Sequence, residues 1–106
     1  LNVDGKDHTF GFDRVFSPGD SQADVFAEVA ELVQSALDGY HVCLFSYGQT
    51  GAGKTFTMQG TPDEQGRGVI PRAVEQILQA VGRLADQEWQ YTLEASFIEV
   101  YNNQLR

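Results

Sequence analysis

Gly48-Gln49-Thr50-Gly51-Ala52-Gly53-Lys54-Thr55 fits the pattern G-x-x-x-x-G-K-[ST], and its reading decides the fold. Small residues let the backbone curl around oxygen atoms, and a helix that follows aims its unpaired N–H groups and positive dipole end at the same point. That shape suits a polyphosphate. Lys54 adds a movable positive charge for the outer phosphates, and the hydroxyl of Thr55 is placed to complete the coordination sphere of a magnesium ion. The plain alternative is a flexible glycine turn that matches by chance, and the flanks argue against it. Residues 41–47 form a short, mostly apolar run suited to a buried strand and enter the glycine segment with no linker. Residues 55–59 are able to carry a first helical turn, giving strand, loop and helix in the order the motif needs.

Moving toward the N-terminus, Gly39 follows Asp38 and supplies the stop of a helix whose apolar positions Val25, Phe26, Val29, Leu32, Val33, Ala36 and Leu37 recur at three- and four-residue steps. Ser21 is its N-cap, with Asp24 as the capping-box carboxylate. Asp24, Glu28 and Glu31 fall largely outside the apolar stripe and read as a solvated face, not a catalytic pair. Before the break at residues 17–20, Phe10 and Phe12 alternate with smaller residues across 9–16, which predicts a strand with one apolar face.

Moving toward the C-terminus, residues 60–68 are dense in turn formers and predict a compact exposed excursion. Pro71 suits the first turn of a further helix that carries Ile70, Val74, Ile77, Leu78, Val81 and Leu84 at helical spacing, slightly weakened by Gly82. From 89 to 101 the alternation of Tyr91, Leu93, Ala95, Phe97 and Tyr101 against Ile98 and Val100 predicts a long strand buried in part on both faces. The order of elements implies a layered α/β fold, with the loop-bearing strand inside a sheet that needs neighbours on both edges.

The chain has 106 residues, with 42% hydrophobic and 21% charged, ordinary values for a globular protein and poor ones for disorder. No apolar run approaches bilayer length, so no membrane partner is expected. A net charge of −8 and a pI near 4.4 argue against this segment gripping nucleic acid or another acidic polymer. Cys43 is the single cysteine; it reads as a packed core residue in a reducing compartment. His8 and His41 have no partners at metal-ligand spacing. Leu1 is no initiating methionine, and Arg106 follows a strand-like pattern without a closing turn, so the reading frame is expected to run on at both ends.

Residues 12–16 (FDRVF), Asp38-Gly39-Tyr40, residues 45–58 (FSYGQTGAGKTFTM), Ile70-Pro71-Arg72 and Glu99-Val100-Tyr101-Asn102 resemble successive blocks of a kinesin motor domain. The resemblance runs nearly end to end, and residues 33–40 (VQSALDGY) look most like the C-terminal-motor, minus-end-directed branch. It implies a P-loop NTPase-type fold, a central mixed sheet with helices on both faces, of which residues 1–106 form the N-terminal portion. It implies an ATPase that couples hydrolysis to movement along microtubules, with ATP and Mg2+ as cofactors and a cytoplasmic, cytoskeletal location that includes the spindle. Gly48, Gln49, Thr50, Gly51, Ala52, Gly53, Lys54 and Thr55 would surround the phosphates, with Thr55 at magnesium. Phe56 matches the family's position beside the adenine; an aromatic there serves equally as a hydrophobic plug under the helix.

Departures are small: Ser46 stands where the family often has Ala, and Gln59 where it often has Glu. The family's switch motifs and microtubule-facing elements would lie beyond Arg106, and its adenine segment before Leu1. Catalytic residues proper therefore fall outside the chain, which alone is expected to bind weakly and hydrolyse negligibly. Microtubule contact would come from those other elements, and dimerisation from a coiled coil elsewhere. Arg72, at a helix start after Ile-Pro, reads as structural and not catalytic. Glu94 and Glu99 are not a general acid/base pair. The competing function is a kinesin-like module that binds nucleotide for regulation or structure without turning it over.

Overall fold

Ser21 opens α1, Gln22–Leu37, and the cap is formed in full. Its hydroxyl accepts from the Asp24 amide at 3.2 Å, and the Asp24 carboxylate accepts from the Ser21 amide at 2.7 Å. At the other end Gly39 takes a φ of 100°, the left-handed conformation that closes the last turn. In this computed structural model residues 1–105 are described, so the sequence expectation at Arg106 lies outside them. Two further helices follow, α2 over Lys54–Met58 and α3 over Val69–Ala85, with Pro71 in the first turn of the latter. Helix α1 packs along α3, and α2 is wedged against the start of α3. Val69, 5% exposed, is the buried apolar residue at that junction among those described.

The three expected strands are not hydrogen-bonded as strands. Residues 9–16 and 41–47 carry no ladder among the described residues, and of 89–101 only Val100–Tyr101 does. A strand exists only through its neighbour, and apart from Val100–Tyr101, which pairs with Gln104–Leu105, no part of the three lies in register with a described segment. The layering is nevertheless present. Val42 and Leu44 turn toward α1 and α3 across an apolar groove of about 300 Å³. Leu93 and Ala95 border Val74, Ile77 and Leu78 of α3 across one of about 210 Å³. Side chains aimed the other way are bare: Phe45 is 78% exposed and Ile98 72%, against 41% for Leu44. Cys43 is exposed too, which corrects its reading as a core residue: its packing would have to come from a layer the described residues do not form.

Two small hairpins go beyond the sequence reading. One, β1 (Asn2–Val3) with β2 (Lys6–Asp7), turns at Asp4-Gly5, where both φ values are positive at 50° and 74°. The other, β3 (Val100–Tyr101) with β4 (Gln104–Leu105), turns at Asn102-Asn103 with φ of 47° and 59°. Two consecutive positive φ values match the right-handed twist of the flanking strands, which is why Asp-Gly and Asn pairs serve there. The second hairpin turns at the residue after Tyr101, where the expected strand ends.

The radius of gyration is 17.3 Å, against about 13 Å for a compact domain of this length. The accessible surface of 9396 Å² likewise exceeds the roughly 5,900 Å² a closed fold of this mass would show. Helices and glycine loop hold together, and the layer of extended segments stands open on its far side.

Candidate functional site

The glycine loop turns on two left-handed residues, Gly51 at φ 81° and Gly53 at φ 96°. A Cβ on either would meet open space, so backbone angle and not crowding is what calls for glycine there. Gly48 is different: a Cβ would come within 3.1 Å of the Ala52 methyl, because the loop closes on itself at that point. The Ala52 amide donates to the Gln49 carbonyl at 3.1 Å and completes the turn. Gly53 is then the N-cap of α2 and offers no side-chain cap. The amides of Lys54, Thr55 and Phe56 therefore stand in a first turn with no acceptor inside the helix.

Lys54 folds back across the loop. Its ammonium donates to the carbonyls of Gly48 at 2.7 Å and Gln49 at 2.8 Å, and an ammonium has a third hydrogen to offer. Gln49, Thr50 and Thr55 are exposed beside it. Phe56 is 55% exposed, so its ring is not a buried plug under α2. The donor set suits an anion with several oxygens: free amides, one cation with a hydrogen to spare, and a hydroxyl in the first turn.

The far end of α2 is held by other elements. Gln22, buried at the first position of α1, donates through Nε2 to the carbonyls of Phe56 at 2.7 Å and Gly66 at 3.3 Å. The Gly68 amide donates to the Gln59 carbonyl at 3.0 Å. Between them residues 60–68 make the compact excursion expected, pinched by a bridge between Gly60 and Arg67. Inside it the Asp63 carboxylate accepts from the Thr61 hydroxyl and from the Gly66 amide, and the hydroxyl bond first, then the amide, holds its pKa below the ordinary value. Arg72 is structural, as read: it donates through Nε to the Arg67 carbonyl at 2.8 Å and through Nη2 to those of Gln65 and Glu64 at 3.1 and 3.3 Å. An open cleft of about 730 Å³ lies between Ser21, Asp63, Gln65 and Arg72, apart from the glycine loop. Sequence reasoning missed Gln22, whose acceptors are main-chain oxygens 34 and 44 residues away.

A family model described as the kinesin motor domain matches residues 1–106. The chain belongs to the kinesin motor-domain family. It is 54% identical over 109 residues to kinesin-like protein KIN-14M of Arabidopsis thaliana, covering 100% of this chain and 14% of the relative. It is 55% identical over 101 residues to human kinesin-like protein KIFC1, covering 93% and 15%. The motor domain of the kinesin-related protein Kar3 from Saccharomyces cerevisiae superposes with a TM-score of 0.83 at 46% identity, over 93% of this chain and 29% of that one. A mutant kinesin motor from a study of activation of the motor ATPase gives 0.80 at 46% identity, over 90% and 29%. The fold is thus that of part of a P-loop kinesin motor domain, and the likeness is to the C-terminal kinesin-14 members. The chain spans about 15% of the length of the curated relatives.

Proposed function

We propose that this kinesin chain is the ATP-binding portion of a motor domain, residues 1–106 being its N-terminal part, in a protein that couples ATP hydrolysis to movement along microtubules. The supporting observation is the start of α2, where three unpaired amides, the Lys54 ammonium and the Thr55 hydroxyl converge behind two left-handed glycines. Gly48 to Thr55 would wrap the phosphates, Thr55 would ligate magnesium, and the half-exposed Phe56 would lie beside the adenine. Bound Mg-ATP supplies the phosphoryl group and the free energy of its transfer; this chain's own part is to bind and orient it. Microtubule binding belongs to other elements of the protein, as does dimerisation through a coiled coil, since a segment of net charge −8 is ill suited to an acidic filament. The location that follows is the cytoskeleton.

The test is a direct titration of the full-length protein with Mg-ADP and Mg-ATP, followed by phosphate release with and without microtubules. Binding with microtubule-stimulated turnover supports the motor. Binding with no turnover at any microtubule concentration would make the protein a nucleotide-binding module, and no binding would remove the assignment altogether.

A further inference from the structure

We propose that Gln22 is a positioning residue for the nucleotide, tying the C-terminal end of α2 to the loop over residues 60–68 through a single side-chain amide. The proposal rests on the function given above. Helix α2 has five residues, and its carbonyls near the end lack the usual partners. The Gly60 amide, which would serve Phe56 in a continuing helix, turns to the Thr55 carbonyl at 3.2 Å instead. Gln22 fills the gap. One hydrogen of its amide goes to the Phe56 oxygen and the other to the Gly66 oxygen, so two segments distant in sequence share one side chain. Phe56 shares the first turn of α2 with Lys54 and Thr55, so its carbonyl cannot shift without carrying along their amides at the phosphate end. A change in the loop at Gly66 therefore reaches the nucleotide through Gln22.

A purely architectural tie would look alike in a static structure, and the fold supplies its own control. Gln76 of α3 donates through Nε2 to the Ala30 carbonyl of α1 at 3.1 Å, the same chemistry on the same helix α1 but away from α2. Gln22→Met and Gln76→Met in the full-length protein each remove the donor and keep the side chain's length. Release of a fluorescent Mg-ADP and amide hydrogen exchange are then measured beside thermal unfolding. Gln22→Met is expected to speed release about tenfold, the consequence of one part-buried carbonyl left unpaired, and to quicken exchange across residues 60–68. Gln76→Met is expected to lower the melting temperature as much as Gln22→Met does and to leave release within about twofold of wild type. Equal effects of the two variants on release, or none from either, would overturn the proposal. A wild-type protein that binds no Mg-ADP would overturn the function instead, and exchange across residues 60–68 would still decide: quickened by Gln22→Met alone it upholds the tie, unchanged it ends it.

Discussion

The Lys54 ammonium lies 2.7 Å from the carbonyl oxygen of Gly48, six residues back along the loop that leads into its own helix. The lysine thus braces the loop from inside while keeping a hydrogen for a guest. Lys54→Ala removes brace and charge together. In the full-length protein it is expected to weaken Mg-ATP binding by 100-fold or more, about 3 kcal/mol of charge-assisted hydrogen bonding, with thermal unfolding little changed. Nucleotide-dependent release from microtubules should disappear with it. Calorimetric titration checks the first figure, and wild-type turnover in the variant would contradict the role given to the loop.

Two glycines in or beside α3 should respond in opposite directions to the same substitution. A Cβ on Gly68 would sit 2.6 Å from the Thr57 carbonyl oxygen and 2.7 Å from backbone carbons of Met58 and Gln59, where no flexible side chain is available to yield. Gly68→Ala is therefore expected to destabilise by about 1–3 kcal/mol and to loosen nucleotide binding, because the strain falls on α2. Gly82 lies inside α3 with nothing within 4 Å of its would-be Cβ. Gly82→Ala should stabilise by about 0.5–1 kcal/mol and leave binding unchanged. Denaturant titrations of the two variants side by side test both signs.

Acid should open the 60–68 loop. The pKa of Asp63 is lowered, first by the Thr61 hydroxyl and then by the Gly66 amide, and that of Asp24 by the Ser21 hydroxyl and then its amide. A carboxylate whose folded pKa is depressed contributes stability that is present above its unfolded value of about 3.8 and is lost as pH falls through the lower folded value. The contribution is thus whole at neutral pH, begins to fall near 3.8 and vanishes only below the lower folded value. Asp63→Asn should abolish the acid-induced part of the loop's opening, followed by NMR of the Gly66 amide. A Gly66 signal with the same acid dependence in both proteins would contradict the assignment.

What could be read from residue order was what is decided within a few residues. The Ser21–Asp24 cap, the stop at Gly39, the start of α3 near Pro71 and the turn of the glycine loop each depend on neighbours in sequence, and each is where the pattern put it. The Asp4-Gly5 and Asn102-Asn103 turns carried an equally local signal that a strand-first reading passed over. Strands are another matter, because alternation at Val42 and Leu44 says which side faces the helices but cannot provide the backbone partner that makes a ladder. Gln22 was illegible for the same reason: nothing in a glutamine's surroundings in sequence announces acceptors on two other elements.

Cys43 turns that difference into a measurement. In the isolated 106-residue chain its thiol is exposed on the open side of the extended layer, near Phe45, and the surface is far larger than a closed fold of this mass would have. In the proposed whole motor domain the neighbouring strands would cover that side, as a buried sheet requires. The isolated chain is therefore expected to react with a soluble maleimide at the rate of an unstructured peptide and to melt without a sharp transition, while the full-length protein reacts at least tenfold more slowly. Equal labelling rates would mean that the far side of the layer stays bare in the whole protein. A sharp cooperative melt of the isolated chain with a protected Cys43 would mean that these residues close a core of their own, contrary to the open layer described.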